Sequence, residues 1–358
     1  MMIAIDGGLK SGSGTIVRDA VPFSILMGKD LHLRNIRLKR DKPGLRYQHL
    51  KAVQASAQIS TSKVKGAEIG SKEIQFYPGR LIRGGHFNWN IGTAGSAIML
   101  ASSVIPLSLF ADTPSICTIR GGLFQDFSPS AHHFKYILLP LLKTMGIHIE
   151  FEIIRPGYVP KGEGQISIII HPLREKLKPL TLLKQGNLLE IRGIALSSHL
   201  EARKVSERMA KMSRRELKAR GYDPKIEILY DTESAPSYKH PSIQAGASLA
   251  IWARSDTGCL MGSEMAGAPK RTAEYIGTQT VKNLFRDLDT GATVDIHTAD
   301  QLIPFAALAD GWSEYRVSQI TDHIESRLWL VEEILHAKTE VKGHLLRIQG
   351  IGYNISDF

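Results

Sequence analysis

Cysteine is nearly missing from this chain. Its 358 residues contain two, Cys117 and Cys259, with no CxxC pair and no metal-ligand spacing. That excludes a disulfide framework and structural zinc, and it implies a reducing compartment. Long hydrophobic runs are missing too. The longest mostly apolar stretch, Ala97 to Ala111, is broken by serines and a proline and falls short of the roughly 20 residues a membrane helix needs. It reads as a buried helix, and no membrane contact is expected. MMIAIDGG at the N-terminus lacks a basic region followed by an apolar segment, so the expected location is cytoplasmic. No Ser/His/Asp or Cys/His constellation is readable. The His132-His133 pair makes a poor metal site, because adjacent helix residues face different directions.

Acidic residues are outnumbered. Thirty-five Asp and Glu stand against 45 Lys and Arg, a formal charge of +10. The excess fits a polyanion such as nucleic acid, with simple solubility as the rival reading. Arg34, Arg37, Lys39, Arg40, Lys42 and Arg46 crowd one segment. Read as a strand, a Pro-Gly turn and a helix start, this segment puts Arg37 and Lys39 on one face, with Arg40 and Lys42 at the turn. That suits the successive phosphates of an RNA strand, although a solvated edge would look the same. A second basic cluster, Arg203 to Arg220, is interrupted by Glu201, Glu207 and Glu216 and reads as the solvated face of a helix.

Three blocks of elements resemble one another. The first runs from the strand MIAID through a Gly/Ser loop, a helix at 16–27, a strand at 32–38, a helix at 47–59 and two short strands. The second starts at Gly84-Gly85 and has helices at 97–110 and 131–145, with strands at 115–120, 148–154 and 165–171. The third has a helix around Asp300, a strand at 314–318, a helix at His323 and a strand at 345–349. The fold expected is α/β (α+β): three repeated βαβαββ units, spaced by roughly 80 residues, forming one large domain. A smaller α/β domain is inserted. The boundaries expected are 1–182 and 278–358 for the large domain and 183–277 for the insertion.

Chemistry concentrates in two places. The loop DGGLKSGSGTIVR lies between a strand and a helix, where glycines allow close approach to phosphate, and Arg18 follows one turn later. The loop is neither a P-loop nor a strict GxGxxG, so alone it is equally a ligand-free turn. The stretch Thr290 to Ile334 places Asp300 and Gln301 at the start of one expected helix and His323 at the start of the next. A helix start suits phosphate and biases a histidine towards neutral imidazole. Thr321 or Asp322 is the expected cap, and Asp322 with Glu325 has capping-box spacing.

Several stretches, in order, resemble the RNA 3′-terminal phosphate cyclase family. They are the Gly-rich loop, R-x-x-R-x-K-P-G-L-x-x-Q-H-L at 37–50, IGTAGS at 91–96, Gly121-Gly122, RPGYVPKGEG at 155–164, TGATVDIHTADQL at 290–302, and His323. The resemblance implies three steps: a histidine takes AMP from ATP, AMP passes to an RNA 3′-phosphate, and the 2′-hydroxyl closes a 2′,3′-cyclic phosphate. It implies ATP and a divalent metal, Mg or Mn, as cofactors, and RNA with a 3′-terminal phosphate as partner. A homodimer is left open. By position, His323 matches the nucleophile. His297, Thr298, Ala299, Asp300 and Gln301 match the nucleotide-contacting stretch, with Ser11, Gly12, Gly14, Thr15 and Ser102 also at ATP-binding positions. Arg18, Arg37, Arg40 and Lys42 match basic positions for RNA or phosphate. Metal ligands are not assigned. The chain departs from the pattern at the loop, usually E-G-G-G-Q and here Ser11 to Thr15. It departs also at Ser102, where glutamine is common, at Glu163, and at Ser326-Arg327, where Thr-Asn is frequent. Two other readings stay open: a catalytically silent RNA-binding or ribosome-assembly relative, and a small-molecule transferase on a similar repeated fold, as in the enolpyruvyl transferases.

Overall fold

The computed structural model describes residues 2–354. It is a mixed α and β structure with four four-stranded sheets. The first combines β1 (Ile3–Asp6), α1 (Gly14–Leu26), β2 (Leu31–Arg34), α2 (Tyr47–Ile59), β3 (Lys63–Lys65) and β4 (Ile74–Tyr77). Its strand order is β1-β2-β4-β3. β1 and β2 are parallel, so their link must cross over the sheet, and α1 is that crossover. The β2–β4 and β3–β4 pairs are antiparallel.

The second sheet repeats this order as β5-β6-β8-β7. Its elements are β5 (Gly85–Asn90), α3 (Ala97–Ser108), β6 (Ser115–Gly121), α4 (Ala131–His133), a π turn at Phe134–Leu138, α5 (Leu139–Thr144), β7 (Ile149–Arg155) and β8 (Gly164–Ile170). Again the first pair is parallel and the others antiparallel. After β9 (Thr181–Leu182) the chain builds the fourth sheet, which has a different order, β11-β10-β12-β13. This comprises β10 (Leu188–Ser198), α6 (Val205–Ala219), β11 (Lys225–Asp231), β12 (Gly246–Ser255) and β13 (Leu260–Ala266), followed by α7 (Ala273–Leu288).

The chain then returns with α8 (Ile296–Gln301), α9 (Ile303–Leu308), β14 (Trp312–Arg316), α10 (Asp322–Leu330), β15 (Lys338–Lys342) and β16 (Leu345–Gln349). Their sheet has order β9-β14-β16-β15, with β9 and β14 parallel. Its first strand therefore lies more than a hundred residues ahead of its second, before the fourth sheet begins.

One large apolar core joins the three sheets of like order, and a second lies between the fourth sheet and α6 and α7. Val281, Leu284, Phe285, Leu288 and Ala292 belong to the second core. The apolar stripe of α7 recurs at helical spacing and faces α6 and β13. The basic helix is partly consumed internally. Arg208 makes a double hydrogen bond to Glu274 at 2.7 and 2.8 Å, and Arg220 lies 4.1 Å over the Phe285 ring.

Two expectations differ from what is seen locally. β2 stops at Arg34, because Asn35 and Arg37 take left-handed backbone angles in a turn. Arg37 and Lys39 therefore do not share a strand face. β13 was not anticipated; LMGSEMA lacks the β-branched alternation that marks a strand. Among the described residues no helix is long and apolar enough to cross a membrane.

Candidate active site

The loop before α1, the start of α2, the end of α8 and the start of α10 surround a cavity of about 520 Å³. Two glycines shape the loop beside it. Gly12 has φ +53°, and Gly14 lies against the imidazole of His49, where an added Cβ would come within 1.9 Å of Nε2. Ser13 caps α1 through the N–H of Thr15. That turn aims the Thr15 hydroxyl across the cavity, 3.1 Å from His323 Nδ1. His323 sits in the first turn of α10, whose cap is Thr321, accepting from the Ile324 N–H at 3.2 Å. Asp322 is inside the helix, so it does not form the capping box its spacing suggested.

His323 titrates below its ordinary value of 6.5. Burial is the main cause; Asp300 opposes it, and Arg18, Arg327 and Arg40 add to it. The imidazole is therefore neutral, with a lone pair free, at neutral pH. Burial also lowers Arg18 to about 10. Its Nη2 donates to the Thr15 hydroxyl at 3.2 Å, while its Nε is buried without a hydrogen-bond partner. An unsatisfied guanidinium in a cavity is a site waiting for an anion. Arg37 and Arg40 line the same space. Arg37 donates to the carbonyls of Lys42 and Gly44 at 2.7 and 2.8 Å, so it also braces the basic loop. Lys42 contributes that carbonyl, and its side chain is outside the cavity lining.

The residues from 297 to 301 divide. His297, Asp300 and Gln301 line the cavity. Thr298 and Ala299 are buried behind it: the Thr298 hydroxyl donates to Asp295, and the Ala299 carbonyl accepts from the Tyr315 hydroxyl. Asp300 and Gln301 end α8 rather than start it. The reason is Asp295, which caps the helix by accepting from the N–H groups of His297 and Thr298 at 3.0 and 2.9 Å. Asp295 is in turn paired with His133 at 3.1 Å, both fully buried. Burial alone would lower His133, but the charge and hydrogen bond of Asp295 raise it to about 9. Asp295 lies well below the usual carboxylate range, since its pairing with His133 outweighs its burial. The dismissed histidine pair is thus structural: His133 holds α8, and His132 Nε2 meets the Tyr238 hydroxyl at 2.6 Å.

Two of the departures from the family pattern, those in the loop and at Ser326, are bonded to one another. The Ser11 hydroxyl lies 2.9 Å from that of Ser13 and accepts from Ser326 at 2.8 Å, and Ser326 also accepts from the Ser11 N–H. Arg327, the next residue, forms a buried ion pair with Asp19 at 2.9 Å and donates to the Asp300 carbonyl. Ser11 and Gly12 thus support the loop without lining the cavity, whereas Gly14 and Thr15 line it. Ser102 lies one turn beyond the lining residue Met99; its Oγ is buried and unpartnered.

The sequence reading assigned no role to several lining residues, among them Gln48, His49, Asp126 and Phe127. Gln48 and His49 lay inside a quoted motif. Burial and the charges of Arg18, Arg37, Arg46 and Arg40 hold His49 well below its ordinary value, so it too is neutral. Asp126 is bound by Arg271 at 2.8 Å. Phe127 is fully exposed at the rim.

For a divalent metal, the donors present are oxygen ligands. Mg²⁺ needs one or two carboxylates together with substrate phosphates. Asp300 fits that part, since its Oδ1 meets only the Gln301 amide, at 3.0 Å, and Asp126 is already paired. Among the described residues, the group of three metal-type ligands is His148, Glu150 and His171, two of which line a different cavity.

The sequence profile of RNA 3′-terminal phosphate cyclase matches residues 9–341. An RNA 3′-terminal phosphate cyclase of Methanopyrus kandleri is 36% identical over 346 residues, covering 96% of each chain. That of Archaeoglobus fulgidus is 35% identical and covers 97% of this chain and 100% of its own. A solved enolpyruvyl transferase, NikO from Streptomyces tendae, is 13% identical with a TM-score of 0.29, covering 48% of this chain and 33% of its own, a likeness too slight to bear on function. The chain belongs to the RNA 3′-terminal phosphate cyclase family.

Proposed function

We propose that this protein uses ATP to convert an RNA 3′-terminal phosphate into a 2′,3′-cyclic phosphate, with His323 as the nucleophile that carries AMP. The observation that carries this reading is the placement of His323: neutral, at a helix start, held through Nδ1 at 3.1 Å from the Thr15 hydroxyl, in a cavity shared with Arg18, Arg37 and Arg40. With Nδ1–H donating to Thr15 Oγ1, the Nε2 lone pair is free. Nε2 attacks the α-phosphorus of ATP, an N–P bond forms, and the bond to pyrophosphate breaks. A 3′-phosphate oxygen of RNA then attacks the same phosphorus and releases the histidine. The 2′-hydroxyl next attacks the activated 3′-phosphorus, loses its proton and expels AMP. Covalent catalysis divides one hard displacement into easier ones.

In this reading the three guanidiniums hold phosphates. Asp300 is the carboxylate that would hold a divalent metal, whose bound form would offset the charge of the triphosphate. Phe127 offers an exposed ring on which a base can stack. The sheets of like order are read as three copies of one βαβαββ unit, the third interrupted by the fourth sheet between its first strand and its first helix. The substitutions in the Gly-rich loop bond to one another through Ser11, Ser13 and Ser326, which is compatible with a working site.

The test is incubation with α-labelled ATP and Mg²⁺ or Mn²⁺, followed by denaturing electrophoresis and by an assay of 3′-phosphorylated RNA. An acid-labile, base-stable protein label that is lost in His323→Ala, with cyclic phosphate formed only by the wild type, is the expected result. A label that survives in the variant removes His323 from the role.

A further inference from the structure

The fourth sheet has one face covered and one partly open. Its covered face packs on α6 and α7 through Ile191, Leu249, Ile251 and Met261. The other face meets the segment around Phe134–Leu138 and then runs out into a cleft of about 480 Å³, a volume in the range of small-molecule and nucleotide sites. Strand register puts Lys225, Arg192 and Trp252 in one row across three strands, so their side chains share that face. Tyr136 comes from the other wall and lies flat on Trp252, with ring centroids 4.6 Å apart and planes inclined by 5°. Both rings are half-buried.

The charge of the cleft is positive. Arg192, Arg214 and Lys225 line it against a single acid, Glu227. Lys135 adds a cation 5.3 Å over the Tyr136 ring. Arg214 is fixed by donating to the Ile226 carbonyl, and Arg192 is tied to Glu190 at 2.8 Å. Lys225 is exposed and has no ion-pair partner among the described residues. A rigid aromatic pair framed by cations on an open sheet face is the arrangement that binds single-stranded nucleic acid: a base extends the stack on the outer side of the pair and the cations take phosphates. A protein partner would call for an apolar centre with charge confined to the rim, and here cations stand beside the rings.

We infer that this cleft binds the single-stranded part of the RNA that lies 5′ of its reacting end. The inference rests on the RNA-end reading of the main cavity. The two sites lie on one segment, since Pro129 lines the cavity and Tyr136 the cleft. At the rise of a helix that separation is about 10 Å. The fourth sheet then serves as a second grip, and substrate length becomes a determinant of affinity.

The test compares a 3′-phosphorylated dinucleotide with an RNA of about 12 nucleotides, within the span one such platform covers, for wild type, Trp252→Ala and the exposed Lys225→Glu. Each variant is expected to weaken binding of the longer RNA about tenfold, by loss of one stacked base or one phosphate contact. Adduct formation from ATP and cyclisation of the dinucleotide should not change. Wild-type affinity of both variants for the longer RNA overturns the inference. So does an equal loss on both substrates, which would place the defect at the catalytic wall. If the wild type cyclises neither RNA, the reading of the main cavity fails, and the binding comparison still decides the cleft.

Discussion

Two histidines, one packed behind α8 and one at the start of α10, end in opposite charge states. His133, behind α8, is fully buried, yet Asp295 raises it to about 9. His323, at the start of α10, is lowered, because burial and three arginines outweigh Asp300. Burial pushes both the same way. What differs is the nearest partner: a dedicated carboxylate in one case, a hydroxyl and guanidiniums in the other. The wall that must stay rigid holds a charged histidine, and the wall proposed to react holds a neutral one.

Breaking the rigid wall should have the largest effect. His133→Ala leaves Asp295 buried and uncompensated, and loss of one partner of such a pair typically costs about 3–5 kcal/mol. Denaturant unfolding should show that loss, whereas Asp295→Asn in the same background should recover part of it. The pair also sets a pH dependence. A folded-state value of about 9 against an ordinary 6.5 means that the His133 contribution is complete below 6.5 and is lost as pH rises through about 9. Melting temperature should therefore fall across that window in the wild type, and less steeply in the double variant.

Thr15→Val removes the acceptor for the Nδ1–H of His323 while keeping the shape. One hydrogen bond near 1–1.5 kcal/mol corresponds to about a tenfold slower adduct, and Thr15→Ser should restore the rate. Because Thr15 would act by positioning the ring, KM for ATP should change little against kcat. The smallest effect is one of profile shape. With His323 below 6.5, adduct formation should stay level as pH drops through 6.5 and fall only under it, in the opposite direction from the alkaline loss of stability. Arg40→Ala should move that fall towards higher pH, since Arg40 helps to lower His323.

Much of the fold was legible because its signals are local. LLEIRGIAL and SICTIR alternate as strands do, the helix at 205–219 carries its own apolar periodicity, and the helix at 97–108 carries its own cap, Ser96. β9 was missed as the opening strand of the third sheet because two residues, Thr181 and Leu182, carry no period. Within the site, His323 and the basic loop were visible as residue types in context. The His133–Asp295 pair was not, because its members lie 162 residues apart and nothing in either neighbourhood signals the other.

The sequence by itself determined the family, most of the order of the elements and the presence of a histidine at a helix start, since each depends on residues close together in the chain. Only the tertiary structure decided which of the matching positions face the cavity and that Thr15 meets His323. Protonation state was decided there as well. It depends on the distance to charges and on the depth of burial, and both arise only when distant segments pack together.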